Sequence, residues 1–225
     1  MLNYLVETHN TDLSKIEELV QLGGKAFLEV GCGDGRLAAI IADKGATVIA
    51  IDPDNTKIEA ARRQSKGAKF LVGSGENLHF EAGSFDIVLF SYSLHHQDCT
   101  KALAEAKRVL RQEGRILIVE PASDGEFTQF VSIFEKDEIT RIRKTLTYLN
   151  SNRFKILRRD EYYVPYSFKD EYELYNYFIK NFMAVPDDSA VEKMAAILED
   201  KIEDRPIIIK DRVNIFLIGN MRPLS

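Results

Sequence analysis

The chain has 225 residues, of which 45% are hydrophobic and 29% are charged, and its formal net charge is −5. This length allows one domain with a substantial core, and the acidic balance disfavours nonspecific attraction to nucleic acid. No apolar run reaches the length of a membrane span, and the first residues lack the basic flank and apolar core of a secretory signal. The two cysteines, Cys32 and Cys99, are expected as free thiols. We therefore expect a cytoplasmic protein without membrane or nucleic-acid partners; composition leaves its oligomeric state open.

Apolar strands alternate with helices through the first half of the chain. A capped helix is predicted to begin at Thr11. The predicted strands are Ala26–Val30, Thr47–Ile51, Phe70–Val72, Asp86–Phe90 and Ile116–Val119, and the predicted helices between them are Asp34–Lys44, Asn55–Lys66 and Asp98–Arg111. The last of these helices is predicted to stop at Gly114, in the left-handed conformation. Continuous apolar runs separated by helices predict a parallel sheet that is buried on both faces.

After Pro121 the pattern changes to helical spacing, which continues to Leu149. The elements predicted beyond it are a sixth strand at Phe154–Leu157, helices at Lys169–Met183 and Ala190–Glu203, and a last strand at Val213–Gly219. We predict one domain over residues 1–225. In it, residues 1–121 form the cofactor-binding core, 122–212 are mostly insertions on the substrate side, and 213–221 form the last strand.

Tyrosine is concentrated in the second half of the chain. Six of the nine tyrosines lie between residues 162 and 177, namely Tyr162, Tyr163, Tyr166, Tyr172, Tyr175 and Tyr177. Aromatic rings with polar tips can line a pocket for a flat or apolar ligand. Rings at such spacing also serve as ordinary packing residues between helices, and the sequence leaves both interpretations open.

A glycine-rich loop follows the first predicted strand. Gly31, Gly33 and Gly35 alternate with other residues directly after Glu29-Val30, and a helical pattern then begins. Glycines allow a sharp turn and a close approach of a ligand to the backbone, and the free N–H groups of the following helix point at that ligand. This strand–loop–helix unit therefore predicts a site for a nucleotide-like cofactor.

Two further acids lie at predicted strand ends. Asp52 ends the second strand, where an acid accepts hydrogen bonds from ribose hydroxyls. An aspartate at that junction can alternatively cap the next helix. Glu76 follows the third strand and is either part of the same site or a solvated loop acid.

The loop spacing discriminates between two cofactor classes. In the dinucleotide fingerprint a third glycine stands where this chain has Arg36. Glu29, just before the loop, would also face a negatively charged pyrophosphate. A carboxylate there suits a ligand with a positive amine and a positive sulfur, so electrostatics favours S-adenosylmethionine over a nicotinamide dinucleotide.

Several motifs occur in the same order as in a known family. They are Leu28–Gly35, Ala50–Asp52, Gly75–Leu78, Ser84–Val88, Ser91–His96 and Glu105–Leu117. With them the chain resembles the class I S-adenosylmethionine-dependent methyltransferases, particularly the ubiquinone/menaquinone-biosynthesis-like small-molecule branch. The resemblance implies an α/β, Rossmann-like, doubly wound and mostly parallel seven-stranded sheet with an antiparallel last strand and helical insertions in the C-terminal half.

The resemblance also implies roles for individual residues. Glu29 and the backbone of Gly31 and Gly33 would hold the methionine part of the cofactor. The remaining cofactor contacts would be Asp52 on the ribose, Pro53 near the adenine, the backbone of Ser74, Gly75 and Glu76 along the adenine edge, and the Ser91 carbonyl near the methionine amine. The chain departs from the family pattern at Ser74, where an aspartate is frequent, and at His79, where a proline is common.

Two adjacent histidines follow the fourth strand. His95 and His96 are candidates for a general base, with His95 preferred, because an imidazole titrates near neutral pH. Adjacent histidines also occur as polar loop packing, and no metal site is predicted.

The expected function is S-adenosylmethionine-dependent methyl transfer to a small-molecule acceptor. The alternatives are a non-catalytic module that binds the same cofactor and an aminopropyltransferase. The latter is expected to carry paired aspartates in the loop after the fourth strand, where this chain has Asp98 alone.

Overall fold

The computed structural model describes residues 10–151, 153–182 and 188–219. The helices are α1 (Thr11–Leu19), α2 (Arg36–Asp43), α3 (Asn55–Gln64), α4 (Cys99–Val109), α5 (Glu126–Phe134), α6 (Glu138–Leu149), α7 (Glu171–Phe182) and α8 (Asp188–Leu198). The strands are β1 (Ala26–Val30), β2 (Thr47–Asp52), β3 (Lys69–Val72), β4 (Phe85–Ser91), β5 (Leu110–Pro121), β6 (Ile156–Phe168) and β7 (Ile207–Gly219). None of the helices in these ranges combines the length and the apolarity that crossing a membrane requires.

The strands form one seven-stranded sheet in the order β3-β2-β1-β4-β5-β7-β6. Strands β1 to β5 pair in parallel, and the last strand is antiparallel, which confirms the predicted fold class. The chain runs outward from β1 to β3 and then returns to the other side of β1 with β4. Ligands of open α/β sheets bind at the carboxyl ends of the strands where the order reverses. In this sheet that position lies between β1 and β4.

The strand at this position is buried on both faces. Phe27, Leu28 and Val30 of β1 are at most 1% exposed, because β1 lies between β2 and β4 in the sheet. Helix α4 contributes Ala102 and Ala106 to the core on one face. Both residues lie on its buried side because their spacing matches one turn of the helix.

Several elements differ from their predicted bounds. Helix α4 ends at Val109, and residues 110–114 begin β5, so the predicted helix stop is wrong. Gly114 has no left-handed φ; a Cβ there would lie 2.8 Å from Leu110 Cδ2 and 3.1 Å from Asp86 O. Glycine at this position thus permits close packing of backbone, which periodicity cannot indicate. Strand β6 begins and ends later than predicted, and β7 begins at Ile207 instead of Val213. Met183 and residues 220–221 of the predicted elements lie outside the described residues.

The chain divides into two compact units. Within the described residues, the first unit consists of Asp12–Glu120, Thr145–Asp160 and 214–219, and the second of 10–11, Pro121–Lys144 and Glu161–Val213. The first unit thus contains the glycine loop and the strands around it. The assignment of residues 122–212 to the acceptor side stays a prediction.

The second unit has an aromatic core of its own. Phe178 is fully buried and stacks on Phe130 with ring centroids 4.9 Å apart. Phe127 stacks on Tyr166 at 4.3 Å and contacts Tyr177 edge-on at 6.0 Å. Of the six clustered tyrosines, Tyr166, Tyr175 and Tyr177 pack against this core, Tyr162 is buried, and Tyr163 and Tyr172 are exposed. The geometry within this unit therefore favours the packing interpretation for Tyr166, Tyr175 and Tyr177.

A buried acid anchors the first helix of the second unit. Asp211 on β7 is 2% exposed and accepts hydrogen bonds at 3.3 Å from the backbone N–H and the hydroxyl of Thr128. Gly125 stands at the N-cap position of α5 and has no side chain that could cap the helix, and a Cβ there would overlap the Asp211 carboxylate. Asp211 takes over that capping role from a distant strand. Burial nevertheless raises its pKa to about 7.

We expect the Asp211→Asn variant to lose part of the pH dependence of stability. A folded-state pKa of about 7, against an ordinary value of 3.8, means that the folded protein binds a proton that the unfolded chain releases. The contribution of Asp211 to the free energy of unfolding should therefore rise as pH falls from about 8 to about 5. Urea titrations over this range should give a smaller rise in Asp211→Asn, and Asp137→Asn, an exposed acid of the same unit, should behave as wild type. Equal rises in all three proteins would contradict this assignment.

Candidate cofactor and active site

The three glycines of the loop are required for different reasons. Gly31, Gly33 and Gly35 have φ values of 77°, 56° and 81°, where residues with a Cβ are strained. A Cβ on Gly31 would overlap the Ser93 side chain, and one on Gly35 would overlap Phe70. A Cβ on Gly33 would meet no atom within 4 Å. Packing therefore dictates Gly31 and Gly35, whereas the backbone at Gly33 borders open space that a ligand can enter.

The end of β2 fixes this loop through hydrogen bonds. The N–H groups of Gly31 and Cys32 both donate to the carbonyl of Ile51, at 2.7 and 2.9 Å. The N–H of Gly33 donates to Asp52 Oδ2 at 2.9 Å. The loop conformation is thus set from the neighbouring strand before any ligand binds.

Asp52 is 7% exposed and serves two backbone segments. Its Oδ1 accepts the N–H of Asp54 at 2.9 Å, while Oδ2 accepts that of Gly33. The helix α3 is capped by Asp54, which accepts the N–H groups of Thr56 and Lys57. The alternative that Asp52 caps this helix is therefore wrong.

Glu29 is the least satisfied acid of the site. It is 2% exposed, and among the described residues its Oε2 has no hydrogen-bond partner. Burial raises its pKa to about 8, although the charge of Arg36 and the backbone N–H of Ala38 favour the ionised form. At neutral pH this carboxyl therefore holds a proton unless a positive group comes close.

The loop after β3 is held together by its own side chains. Ser74 Oγ accepts the N–H of Glu76 at 3.2 Å, and Glu76 Oε1 accepts the N–H of Asp98 at 2.8 Å. Glycine is needed at position 75 because a Cβ would overlap Gln97 and Val30. The Glu76 side chain thus connects this loop to the start of α4.

A pocket of about 470 Å³ lies next to this loop. Its lining residues are Ile51, Leu71, Val72, Gly73, Ser74, Asn77, Leu78, His79 and Phe80. Ser74, the residue that stands in place of the frequent aspartate, is on its wall. The predicted adenine side of the site therefore has room for a planar group beside the backbone at Ser74.

The end of β4 lies against the end of β1. Ser91 pairs with Val119 of β5 and is half-buried. Ser93 Oγ donates to the carbonyl of Val30 at 2.6 Å, which ties the segment after β4 to the glycine loop. Ser91 thus lies at the position where the strand order reverses. Pro53, after β2, is exposed.

The two predicted histidines have different environments. They belong to a 3₁₀ turn, Leu94–His96, and their ring centroids are 4.0 Å apart. His95 is 5% exposed, and its Nδ1 lies 2.5 Å from Oε2 of Glu120, which is 0% exposed. His96 is exposed. A buried imidazole held by a carboxylate distinguishes His95 as the stronger candidate.

Glu120 was not among the residues predicted from the sequence. Its Oε1 accepts the N–H of Leu94 at 2.9 Å, so both of its oxygens are engaged by the turn that carries His95. Its position could have indicated a role, because Glu120 is an acid near the carboxyl end of a parallel strand, as Glu29 and Asp52 are.

Both cysteines are free, as expected. Burial raises the pKa of the Cys32 thiol, and the acids Glu29 and Asp52 raise it further. Burial also raises the pKa of Cys99. Both thiols are therefore protonated at neutral pH and poorly nucleophilic.

The sheet order and the glycine loop define an α/β protein whose predicted cofactor site lies between β1 and β4. A family model described as "Methyltransferase domain" matches residues 28–118, the part that carries this site. This match agrees with the resemblance of the sequence motifs to the class I S-adenosylmethionine-dependent methyltransferases.

Individual relatives match part of the chain. An uncharacterised methyltransferase, YcgJ of Bacillus subtilis, is 36% identical over 99 residues, which cover 41% of this chain and 39% of YcgJ. A demethylmenaquinone methyltransferase of Thermotoga maritima is 27% identical over 118 residues, covering 50% of this chain and 52% of the relative. The chain thus spans about half or less of the length of these curated relatives.

Solved structures match the fold along nearly the whole chain. The structure of YcgJ aligns with a TM-score of 0.63 and 21% identity, covering 95% of this chain and 99% of YcgJ. A geranyl diphosphate methyltransferase in complex with GPP and sinefungin aligns with a TM-score of 0.58 and 14% identity, covering 93% of this chain and 77% of the other. At these identities the alignments establish the fold alone.

We expect alanine at Gly31 and at Gly33 to have different effects on stability. Gly31→Ala combines a left-handed φ with an overlap on Ser93, so its free energy of unfolding should fall by more than about 2 kcal/mol. Gly33→Ala has the backbone strain alone, which costs about 1–2 kcal/mol. Urea unfolding measures both values. Equal losses in the two variants would show that the space at Gly33 is not open.

Proposed function

We propose that this protein transfers a methyl group from S-adenosylmethionine to a small-molecule acceptor. The observation that carries the proposal is the buried Glu29 carboxyl, whose Oε2 has no hydrogen-bond partner among the described residues, at the start of the loop that leaves Gly33 open. A positive group near it would stabilise the ionised carboxylate, whereas a pyrophosphate would keep the carboxyl protonated and gain no charge attraction from it. S-adenosylmethionine carries both an ammonium and a sulfonium, so its charges fit this site.

The bound cofactor supplies a methyl group on a positively charged sulfur, which is the leaving group. The protein then needs to hold the cofactor, align the acceptor and exclude water, and such positioning is worth about 7–11 kcal/mol. Glu29 and the backbone of Gly31 and Gly33 would hold the methionine part, together with the carbonyl of Ser91.

Asp52 would hold the ribose. Each of its oxygens accepts one backbone N–H, and a carboxylate oxygen has room for a second donor. The backbone of Ser74, Gly75 and Glu76 would line the adenine edge, with Pro53 on the exposed side.

The comparisons support a small-molecule acceptor. The Thermotoga maritima relative is a demethylmenaquinone methyltransferase, and the geranyl diphosphate methyltransferase was solved with sinefungin, an analogue of S-adenosylmethionine. The net charge of −5 gives no support for binding of nucleic acid. The aminopropyltransferase alternative loses support because Asp98 caps helix α4 by accepting the N–H groups of Thr100 and Lys101.

Calorimetric titration of the wild-type protein with S-adenosylmethionine, S-adenosylhomocysteine and NAD tests the cofactor. We expect the first two ligands to bind and NAD to give no heat, because a pyrophosphate gains no charge attraction from Glu29 and Arg36 stands where the dinucleotide fingerprint has its third glycine. Binding of NAD alone would overturn the proposal. Transfer of labelled methyl groups, assayed in the small-molecule fraction of a cell extract, then separates an enzyme from a non-catalytic module.

Asp52 and Asp54 provide a matched pair of variants two residues apart. Asp52→Asn should weaken S-adenosylmethionine binding by about 1.5–3 kcal/mol, the usual range for a hydrogen bond to a charged group. Asp54→Asn changes a helix cap outside the predicted contacts and should leave the affinity within about twofold. The same calorimetric titration measures both. Equal affinities of the two variants would remove the ribose-binding role of Asp52.

A further inference from the structure

We propose that Glu120 is a positioning residue for His95. Its carboxylate holds the imidazole in the tautomer that carries hydrogen on Nδ1, so that Nε2 takes a proton from the methyl acceptor. This proposal rests on the methyl-transfer function proposed above and narrows the acceptor class. The acceptor carries a hydroxyl or a protonated amine, and its proton must leave for the oxygen or nitrogen to attack.

The geometry of Glu120 sets the hydrogen on His95. The N–H of Leu94 donates to Oε1 at 2.9 Å, which fixes the plane of the carboxylate. Oε2 then lies 2.5 Å from His95 Nδ1. An ionised carboxylate only accepts hydrogen bonds, so Nδ1 is the donor in this pair. In the neutral imidazole the lone pair is consequently on Nε2.

The location of the pair argues for more than packing. Glu120 is 0% and His95 is 5% exposed, and burial of a carboxylate carries a large desolvation penalty. Two apolar residues of similar size would fill the same space at lower cost in free energy. His95 also follows β4, and Glu120 is the next-to-last residue of β5, at the sheet edge where Ser91 pairs with Val119. That edge carries the predicted cofactor contacts.

In the proposed step one proton moves from the methyl acceptor to His95. The O–H or N–H bond of the acceptor breaks, its electron pair stays on the oxygen or nitrogen, and the proton binds His95 Nε2. The imidazole then becomes an imidazolium, which keeps its Nδ1–H bond to Glu120. The negative carboxylate stabilises the new positive charge, as a buried acid beside a histidine base does in other enzymes.

Long-range ¹H–¹⁵N correlation spectra of protein labelled at histidine test the tautomer directly. The chain has four histidines, so loss of one signal set in His95→Asn assigns the residue. The wild-type protein should show His95 with hydrogen on Nδ1. Hydrogen on Nε2 in the wild type would overturn the proposal without the need for any variant.

Two substitutions test whether Glu120 determines the tautomer of His95. In Glu120→Gln the amide offers one accepting oxygen to two donors, so the His95 signals should shift toward the Nε2–H pattern. Glu120→Asp keeps a carboxylate and should retain the wild-type pattern at least in part. The signals of His79, which is exposed and lies outside the turn that carries His95, serve as the internal control. An unchanged His95 pattern in a folded Glu120→Gln variant would contradict the positioning role.

A titration of the same samples with S-adenosylmethionine separates the two proposals. We expect Glu120→Gln to bind it with an affinity within about threefold of wild type, because Glu120 is not among the predicted cofactor contacts. Binding to the wild type together with an Nε2–H tautomer would overturn the role of Glu120 alone. Absence of binding to the wild type would overturn the proposed function, and the proton-acceptor role of His95 with it.

Discussion

The ligand preference of the first unit depends on buried acids at or near the carboxyl ends of its strands, and on which hydrogen-bond partners these acids have. Strand β1 ends beside β2 and β4, and Glu29 is therefore removed from water by the sheet itself. The desolvation of its carboxyl raises the pKa to about 8. The open backbone at Gly33 and the Asp52 carboxylate lie around this acid in the same loop system. The site is therefore most complementary to a ligand that brings positive charge.

Three acids at or near strand ends differ in the number of protein donors they receive. Asp52 accepts two backbone N–H groups and holds the loop in shape. Glu120 accepts Leu94 N–H and contacts His95. Glu29 has one oxygen without a hydrogen-bond partner among the described residues. By these contacts Asp52 organises the backbone and Glu120 holds the turn that carries His95, whereas Glu29 has an oxygen that can still accept a hydrogen bond from a ligand.

The sequence predicts most of the sheet, and the cofactor contacts that it assigns stay predictions. Continuous apolar runs predicted β1 to β4 to within one residue, because strands buried on both faces need such runs. The roles of Asp54 and Gly114 were not predictable from pattern. The capping role of Asp54 depends on whether the Asp52 side chain turns toward Gly33 or toward the helix. The need for glycine at position 114 depends on the close approach of the Asp86 backbone.

The roles of Glu120 and of the clustered tyrosines also could not be predicted from the sequence. The significance of Glu120 comes from its distance to His95, a pairing over 25 residues that no local spacing indicates. Tyr166 and Tyr177 pack in a core whose partners include Phe127, and a count of tyrosines cannot distinguish such a core from a pocket. Contacts between distant segments decide both cases.

On the proposed function, Glu29 releases its proton when the cationic cofactor binds. Calorimetric titration with S-adenosylmethionine near pH 7, in buffers of different ionisation enthalpy, counts the protons released on binding. With a pKa of about 8 in the free protein, the wild type should release close to one proton more than Glu29→Gln. Equal proton release by the two proteins would contradict this role of Glu29, because the buried carboxyl would then not respond to the charge of the cofactor.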